Sequence, residues 1–321
     1  MSEKVKVNII YSPQIGNATS PRFQNEQGEL WMNPTRKDNM FNVSMGFYSA
    51  NYPHPQHSDD SFYAVEPMCV SERDYEIDFI RRFKYIFTWA TEAFKNTEVS
   101  SKIIPINHPS CYGVNEQEYE KRKANWKKWD ERSNEVVLIA NNKNSNHNSE
   151  LYTLRTQLAQ WLDSNCNEFK VAWYAQSPHV PGRYFKGRVE DKGSVLGNVK
   201  FSICSENCYD PKYSYNYFTE KMPEVWFSGA VPIYTGCYNI DDFGFHPDSY
   251  IDLRKYFDIN TRLVRYLELA RDINTFGQER YDNYLKAVEY NVYNAKLFNL
   301  ISDERVMAKM IETFWKEKNG A

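Results

Sequence analysis

Nowhere does the 321-residue chain approach the ~18 consecutive apolar residues that a bilayer-spanning helix needs. That excludes a transmembrane span at the level of sequence. The N-terminus, Met1-Ser-Glu-Lys-Val-Lys-Val, runs quickly into a strand-like pattern and lacks a basic region followed by an apolar core, so export is not expected and a cytoplasmic location is. Charge of one sign is also scarce. The 39 Lys and Arg against 42 Asp and Glu leave a net charge of −3, too little to grip nucleic acid or an anionic membrane globally. There is no G-x-G-x-x-G or G-x-x-x-x-G-K-[ST] loop and no internal repeat, so ordinary dinucleotide and P-loop binding have no motif support. Of the six cysteines (Cys69, Cys111, Cys166, Cys204, Cys208, Cys237), only Cys204 and Cys208 have a spacing a metal could use. No second pair completes a zinc site, which points to thiols in a reducing compartment. The sequons at Asn17 and Asn42 are idle without secretion.

What is present is globular. Hydrophobic residues make up 41% and aromatics 16%, and the length suits two domains, each able to bury a core. The first third reads as short strands in long polar connections: Val5 to Tyr11, Val43 to Tyr48, Phe62 to Val65, then helix and strand between Tyr75 and Trp89. Residues 115–132 carry mixed charges with Tyr119, Trp126 and Trp129 interleaved, which suits an exposed helix or a connector better than a nucleic-acid patch. After it the pattern becomes strand, helix, strand: Glu135 to Ala140, a helix with Leu151, Leu154, Leu158 and Leu162 on one face, Phe169 to Tyr174, Val199 to Cys204, Met222 to Phe227 and Ala230 to Tyr234. That is the rhythm of a doubly wound parallel sheet. The last sixty residues look helical, over Asn260 to Arg271, Phe276 to Tyr290 and Asp303 to Glu317. The expected partition is 1–132 for one domain, 133–298 for a Rossmann-like second, and 299–321 for a helix packing back on the first.

The stretch richest in chemistry is Val199-Lys-Phe-Ser-Ile-Cys-Ser-Glu-Asn207, then Tyr217-Phe-Thr-Glu-Lys221, then Trp226-Phe-Ser-Gly-Ala-Val-Pro-Ile-Tyr-Thr-Gly236. In a doubly wound sheet, ligands sit outside the carboxyl ends of the strands, where Glu206 and Asn207 fall. Thr219, Glu220 and Lys221 come near a helix start, whose N–H groups and positive dipole favour an anion such as a diphosphate. These three blocks, in this order, resemble the donor-binding motif of the α1,3/1,4-fucosyltransferases (glycosyltransferase family 10): K-F-x-[IL]-x-x-E-N, Y-[VF]-T-E-K and G-[TA]-[VI]-P-[IV]-Y-x-G. Phe245-His-Pro-Asp-Ser-Tyr-Ile-Asp252 resembles the family's next segment. About a hundred residues are covered well, and the resemblance thins toward the N-terminus.

The resemblance implies an α/β protein of the GT-B architecture, with two Rossmann-like domains facing a cleft, and an inverting transfer of L-fucose from GDP-β-L-fucose to an acceptor glycan. It implies that Lys221 and Arg155 bind the donor's phosphates, with Glu206, Asn207, Tyr217 and Thr219 lining the donor site. Glu220 would balance positive charge on the sugar ring. Phe62-Tyr-Ala-Val-Glu66-Pro67 resembles the family's E-P or E-S-P element, which makes Glu66 the base that takes the acceptor proton. Phe83-Lys-Tyr-Ile-Phe-Thr-Trp89 resembles a following strand, with Lys84 in place of the usual aspartate. No Asp-x-Asp occurs, so no cofactor and no essential divalent metal are expected. The His54, His57, Asp59 and Asp60 group reads as a loop or acceptor rim.

Two departures stand out. About four extra residues separate E-N from T-E-K, and Pro223 falls where a helix capped by Thr219 would want an N–H, leaving the helix start and the aim of Glu220 open. Another sugar nucleotide, such as a UDP-pentose, and a catalytically silent carbohydrate-binding relative remain as alternatives. Acceptor identity and oligomeric state are not legible.

Overall fold

The computed structural model describes residues 2–10, 18–46, 59–108, 115–176, 184–258, 260–261, 263–295 and 297–320. Asn17, His54, His57 and Cys111 lie outside the described residues. The chain divides into two compact units. Unit 1 comprises Met1–Pro109, Pro211–Tyr217 and Ser302–Ala321, and unit 2 comprises Ser110–Asp210 and Phe218–Ile301.

Unit 1 is built on seven strands: β1 (Val5–Ile10), β2 (Phe23–Gln24), β3 (Gly28–Asn33), β4 (Phe41–Met45), β5 (Ser61–Tyr63), β6 (Ile86–Thr88) and β7 (Ile103–Pro105). Their order is β2-β3-β1-β4-β5-β6-β7, and every pairing is parallel except β2 with β3. One face is covered by the C-terminal helix Asp303–Asn319, whose buried Val306, Met307, Met310, Ile311 and Phe314 recur at helical spacing. They pack on Val5, Val7, Ile9, Leu30 and Val43, and Phe314 stacks on Phe41 at 4.6 Å. Polar ties reinforce this packing: Lys84 pairs with Glu317 at 2.8 Å and Lys318 with Glu3 at 2.8 Å. Elsewhere in the unit, Phe62 meets Phe79 and Phe83.

Unit 2 carries the parallel strands β8 (Ser133–Ile139), β9 (Lys170–Tyr174), β10 (Val199–Ser205), β11 (Val231–Thr235) and β12 (Ile251–Asp252), in the order β12-β11-β10-β8-β9. Its helices include α1 (Glu116–Lys123), α2 (Tyr152–Asn165), α3 (Lys192–Asn198), α4 (Lys221–Ser228), α5 (Tyr266–Asn274) and α6 (Gln278–Tyr293). Strand order reverses between β8 and β10, so the switch point, where doubly wound folds bind ligands, lies at the carboxyl ends of these two strands. Among the described residues no helix is long and apolar enough to cross a membrane.

Three elements differ from the sequence reading. The polar stretch before β10 contains α3, a helix with Gly193 and Gly197 whose poor intrinsic propensity is offset by an Asp191 side chain accepting from the Gly193 N–H and by burial of Leu196. Residues 257–264 hold a short antiparallel pair, and the helix expected from Asn260 begins only at Tyr266. Residues 115–132 cluster with unit 2, because Tyr119 and Trp129 are buried in its core.

The cause of that clustering includes one buried cation. Arg132 is 3% exposed and donates to the carbonyls of Lys127, Leu196, Val199 and Ser228 at 3.1 to 3.5 Å, collecting the buried C-terminal carbonyls of α3 and α4. A guanidinium suits this because its five donors sit in a rigid fork and the last carbonyls of helices carry partial negative charge. Gly229, which closes α4 in the left-handed region (φ 72°), leaves room for it: a Cβ there would lie 2.5 Å from the Arg132 guanidinium. Arg132→Met, which keeps the stem and removes the donors, is expected to destabilise unit 2 by about 2–4 kcal/mol, read from urea denaturation.

Candidate active site

The carboxyl end of β10 runs into Glu206, whose side chain is fully buried. A buried carboxylate must be paired and hydrogen-bonded. Here Oε1 accepts from the Thr219 backbone N–H at 3.0 Å and from the Tyr234 hydroxyl at 3.4 Å, while Oε2 accepts from Thr219 Oγ1 at 2.8 Å and Lys221 Nζ at 2.8 Å. Lys221 Nζ also donates to Thr219 Oγ1 at 3.1 Å. Burial by itself lowers the proton affinity of an ammonium, but the Glu206 and Glu220 carboxylates outweigh it and hold Lys221 above the usual lysine range. Lys221 is therefore a fixed, permanent cation.

Room for this arrangement comes from Gly236. Its φ is +141°, and a Cβ would lie 2.2 Å from the Glu206 Cβ. The glycine that ends the third motif block thus serves the glutamate of the first. An aromatic cluster holds the blocks together: Phe218 packs on Phe243 and Phe245, and Trp226 donates its indole N–H to the Ser249 carbonyl at 2.7 Å.

α4 begins at Lys221 with Glu220 as its N-cap residue, so Pro223 occupies the third helical position, where an N–H has no helical acceptor in any case. The proline costs the helix no hydrogen bond. Glu220, Lys221 and Arg155 line one pocket at the switch point, together with Ile139 and Ala140 from the end of β8, Ser205 from β10, Lys192 from α3 and Glu224 from α4. Arg155 is 4% exposed, with its guanidinium 4.7 Å above the Tyr152 ring and one N–H given to the Asn141 carbonyl at 2.7 Å. Lys192 pairs with Glu224 at 2.8 Å. The Ser205 hydroxyl is buried without a hydrogen-bond partner, a donor and acceptor facing this region.

The other candidates lie apart from this pocket lining. Asn207 gives its carbonyl to the Leu151 N–H at 2.9 Å, tying the end of β10 to the start of α2. Thr219 and Glu206 are buried; their side chains bond each other and Lys221, and Glu206 also accepts from the Tyr234 hydroxyl. Tyr217 belongs to unit 1, where its ring stacks on Trp89 at 4.6 Å and meets His108 edge-on. Glu66 also belongs to unit 1: it follows β5, is half-buried, and its carbonyl accepts from the Tyr75 hydroxyl at 3.1 Å. Sequence reasoning did not single out Lys192, Glu224 or Ser205. The Asp191-Lys192 pair at a cap position was the available signal for the first, and Ser205 stood inside the quoted motif.

No family model matches the chain. Over 122 residues, 37% of this chain and 23% of the relative, it is 28% identical to the Helicobacter pylori alpha-(1,3)-fucosyltransferase FucT. The chain resembles the α1,3-fucosyltransferases. The resemblance extends to the fold. A crystal structure of an α1,3-fucosyltransferase with GDP matches 98% of this chain and 91% of its own at a TM-score of 0.55 and 14% identity. Staphylococcus aureus TarM, solved with fondaparinux, alpha-GlcNAc-glycerol and UDP, matches 85% of this chain and 55% of its own at a TM-score of 0.54 and 12% identity. The fold is the α/β fold of the GT-B glycosyltransferases. The fucosyltransferase-like chain owes its Lys221 geometry to Gly236, so Gly236→Ala is expected to lower the melting temperature by several degrees and to release Lys221. The check is a thermal melt together with the loss of Lys221 protection from amine-reactive labelling.

Proposed function

We propose that the chain is an inverting glycosyltransferase of family 10 that moves L-fucose from GDP-β-L-fucose to a hydroxyl of an acceptor glycan. The observation that carries this reading is the cation Lys221, locked by a buried carboxylate at the start of α4, in one switch-point pocket with Arg155 and Glu220. A diphosphate leaving group needs positive charge held in place before the bond breaks, because a preorganised charge costs no rearrangement in the transition state. Lys221 and Arg155 supply it together with the N–H groups of α4, and the Ser205 hydroxyl offers a further polar contact. Glu220 stabilises positive charge on the sugar ring. The positive charge comes from side chains and a helix start, and the sequence has no Asp-x-Asp to carry a divalent metal.

In this mechanism the acceptor oxygen attacks the anomeric carbon from the face opposite GDP, the carbon–phosphate oxygen bond breaks, and the hydroxyl proton passes to the Glu66 carboxylate. Proton removal by a positioned base is worth ~10²–10⁴-fold, and holding both substrates in one orientation contributes at least as much. The GDP-bound fucosyltransferase that shares the fold supports a guanine nucleotide; the UDP-bound TarM keeps UDP-sugars in the same test.

A calorimetric panel of GDP, GDP-fucose, UDP and UDP-sugars, followed by product detection with mixed glycans, tests the donor. GDP and GDP-fucose are expected to bind, and a preference for UDP-sugars would move the assignment to another donor. Lys221→Ala should weaken GDP binding at least tenfold, and unchanged affinity would displace the donor site from this pocket. Glu66→Ala should keep GDP affinity while transfer falls by ~10²–10⁴-fold. Full turnover would remove Glu66 from the mechanism.

A further inference from the structure

Unit 1 holds a second carboxyl that the mechanism above leaves unused. Asp74, in the short turn Glu72–Tyr75, is 4% exposed, and among the described residues its Oδ2 atom has no hydrogen-bond partner. The end of β4 closes over it: a Cβ on Gly46 would lie 2.3 Å from Asp74 Oδ2 and 3.0 Å from the Phe62 ring. Gly46 in turn donates its N–H to the Tyr63 carbonyl at 2.7 Å, on the strand that leads to Glu66. The neighbouring Tyr75 hydroxyl holds the Glu66 carbonyl. Asp74 is thus packed into the backbone frame that presents Glu66.

Among the described residues the ionisable groups that act on Asp74 are Arg73 and Glu66, and Ser71 supplies a side-chain hydrogen bond. Burial pushes the Asp74 carboxyl up to about 7; Ser71 and Arg73 pull it back and the Glu66 charge adds to the rise. Such a site destabilises the folded chain once the carboxyl ionises. The sign follows from linkage: the native state holds the proton more tightly than the unfolded chain, so the stability present at low pH is lost as pH rises from the ordinary carboxyl range to about 7. An amide in this place would fold at less cost. What the carboxyl adds is a charge that appears near neutral pH and is felt by Glu66.

We propose that Asp74 is a positioning residue for Glu66, a buried carboxyl whose negative charge strengthens the hold of Glu66 on the acceptor proton. This rests on Glu66 being the base. Two interacting carboxyls titrate as a pair, and the coupling is reciprocal. Above neutral pH the Asp74 anion makes Glu66 a stronger base; below it Asp74 is neutral and the effect is absent.

The test is carboxyl-carbon NMR titration of glutamate- and aspartate-labelled protein, which needs no substrate. Glu66→Gln identifies the Glu66 signal and Asp74→Asn the Asp74 signal. In the wild-type protein the Glu66 signal should show an inflection near pH 7 that Asp74→Asn removes, and the Asp74 midpoint should fall in Glu66→Gln. Either variant reads the same coupling, so failure of one to fold leaves the other. Asp74→Asn should also melt higher than wild type at pH 8, with the gain gone at pH 4. In transfer assays it should lower kcat roughly threefold at pH 8 and leave pH 6 rates and donor KM unchanged. Superimposable titration curves together with an inactive Glu66→Gln overturn the role of Asp74 and leave Glu66 as base. Full turnover by Glu66→Gln overturns the base, and the positioning role of Asp74 with it.

Discussion

The candidate donor site depends on one buried carboxylate. Glu206 is out of contact with water, and its two oxygens are met by the Thr219 backbone and hydroxyl, the Lys221 ammonium and the Tyr234 hydroxyl. The Lys221 side chain keeps some exposure, and the pair is a weak source of stability because desolvation of Glu206 consumes much of its attraction. Its value is positional. Removing either partner strands a charge, so the pair fixes where Lys221 stands and with it the first turn of α4. The rest of the unit is arranged to permit this: Gly236 gives the space, Phe218 and Trp226 pack the flanking segments, and Arg132 ties down the far ends of α3 and α4.

This division of labour separates residues that line the pocket from residues that aim them. The shared sequence blocks mix the two. Lys221, Glu220 and Arg155 line the pocket, whereas Glu206 and Thr219 stand behind it. A motif read as a set of ligand contacts therefore overcounts contacts: the glutamate of E-N is there for the lysine of T-E-K, two blocks joined by a single salt bridge of 2.8 Å.

How much of this was legible follows from which forces leave a local trace. The parallel-sheet rhythm of unit 2 was readable because buried central strands are continuous apolar runs, and β8, β9, β10 and β11 lie where those runs are. α3 was not, since its two glycines contradict local propensity and only packing of Leu196 and the Asp191 cap make it a helix. β3, Gly-Glu-Leu-Trp-Met-Asn, was passed over because Gly28, Glu29 and Asn33 leave it too few apolar residues to show a strand pattern. In the site, Glu220 and Lys221 were visible through the motif. Ser205 and Asp74 were not, because an unsatisfied buried atom is a property of the surroundings that no spacing encodes. The separation of Tyr217 from Thr219 into different units, two residues apart in sequence, is likewise a tertiary fact.

The charges around the pocket bear on what kind of anion it can recognise. Three cations, Arg155, Lys192 and Lys221, are matched by Glu206, Glu220 and Glu224, and two of the pairs are direct, at 2.8 Å each. Such a site has little net field with which to draw in a bare phosphate, and each cation that turns toward a ligand must share its carboxylate or leave it. On the proposed reading, binding rewards a ligand that meets several groups at once: phosphate oxygens for the cations and α4, a polar group for Ser205, and a sugar ring with partial positive charge for Glu220. The balanced charge thus favours selectivity over raw attraction, since a ligand offering only one of these features recovers too little to compensate for disturbing the pairs. The same balance suits turnover. In the proposed reaction, a product diphosphate that has lost its sugar also loses the partner of Glu220, and the carboxylate then opposes the anion that remains.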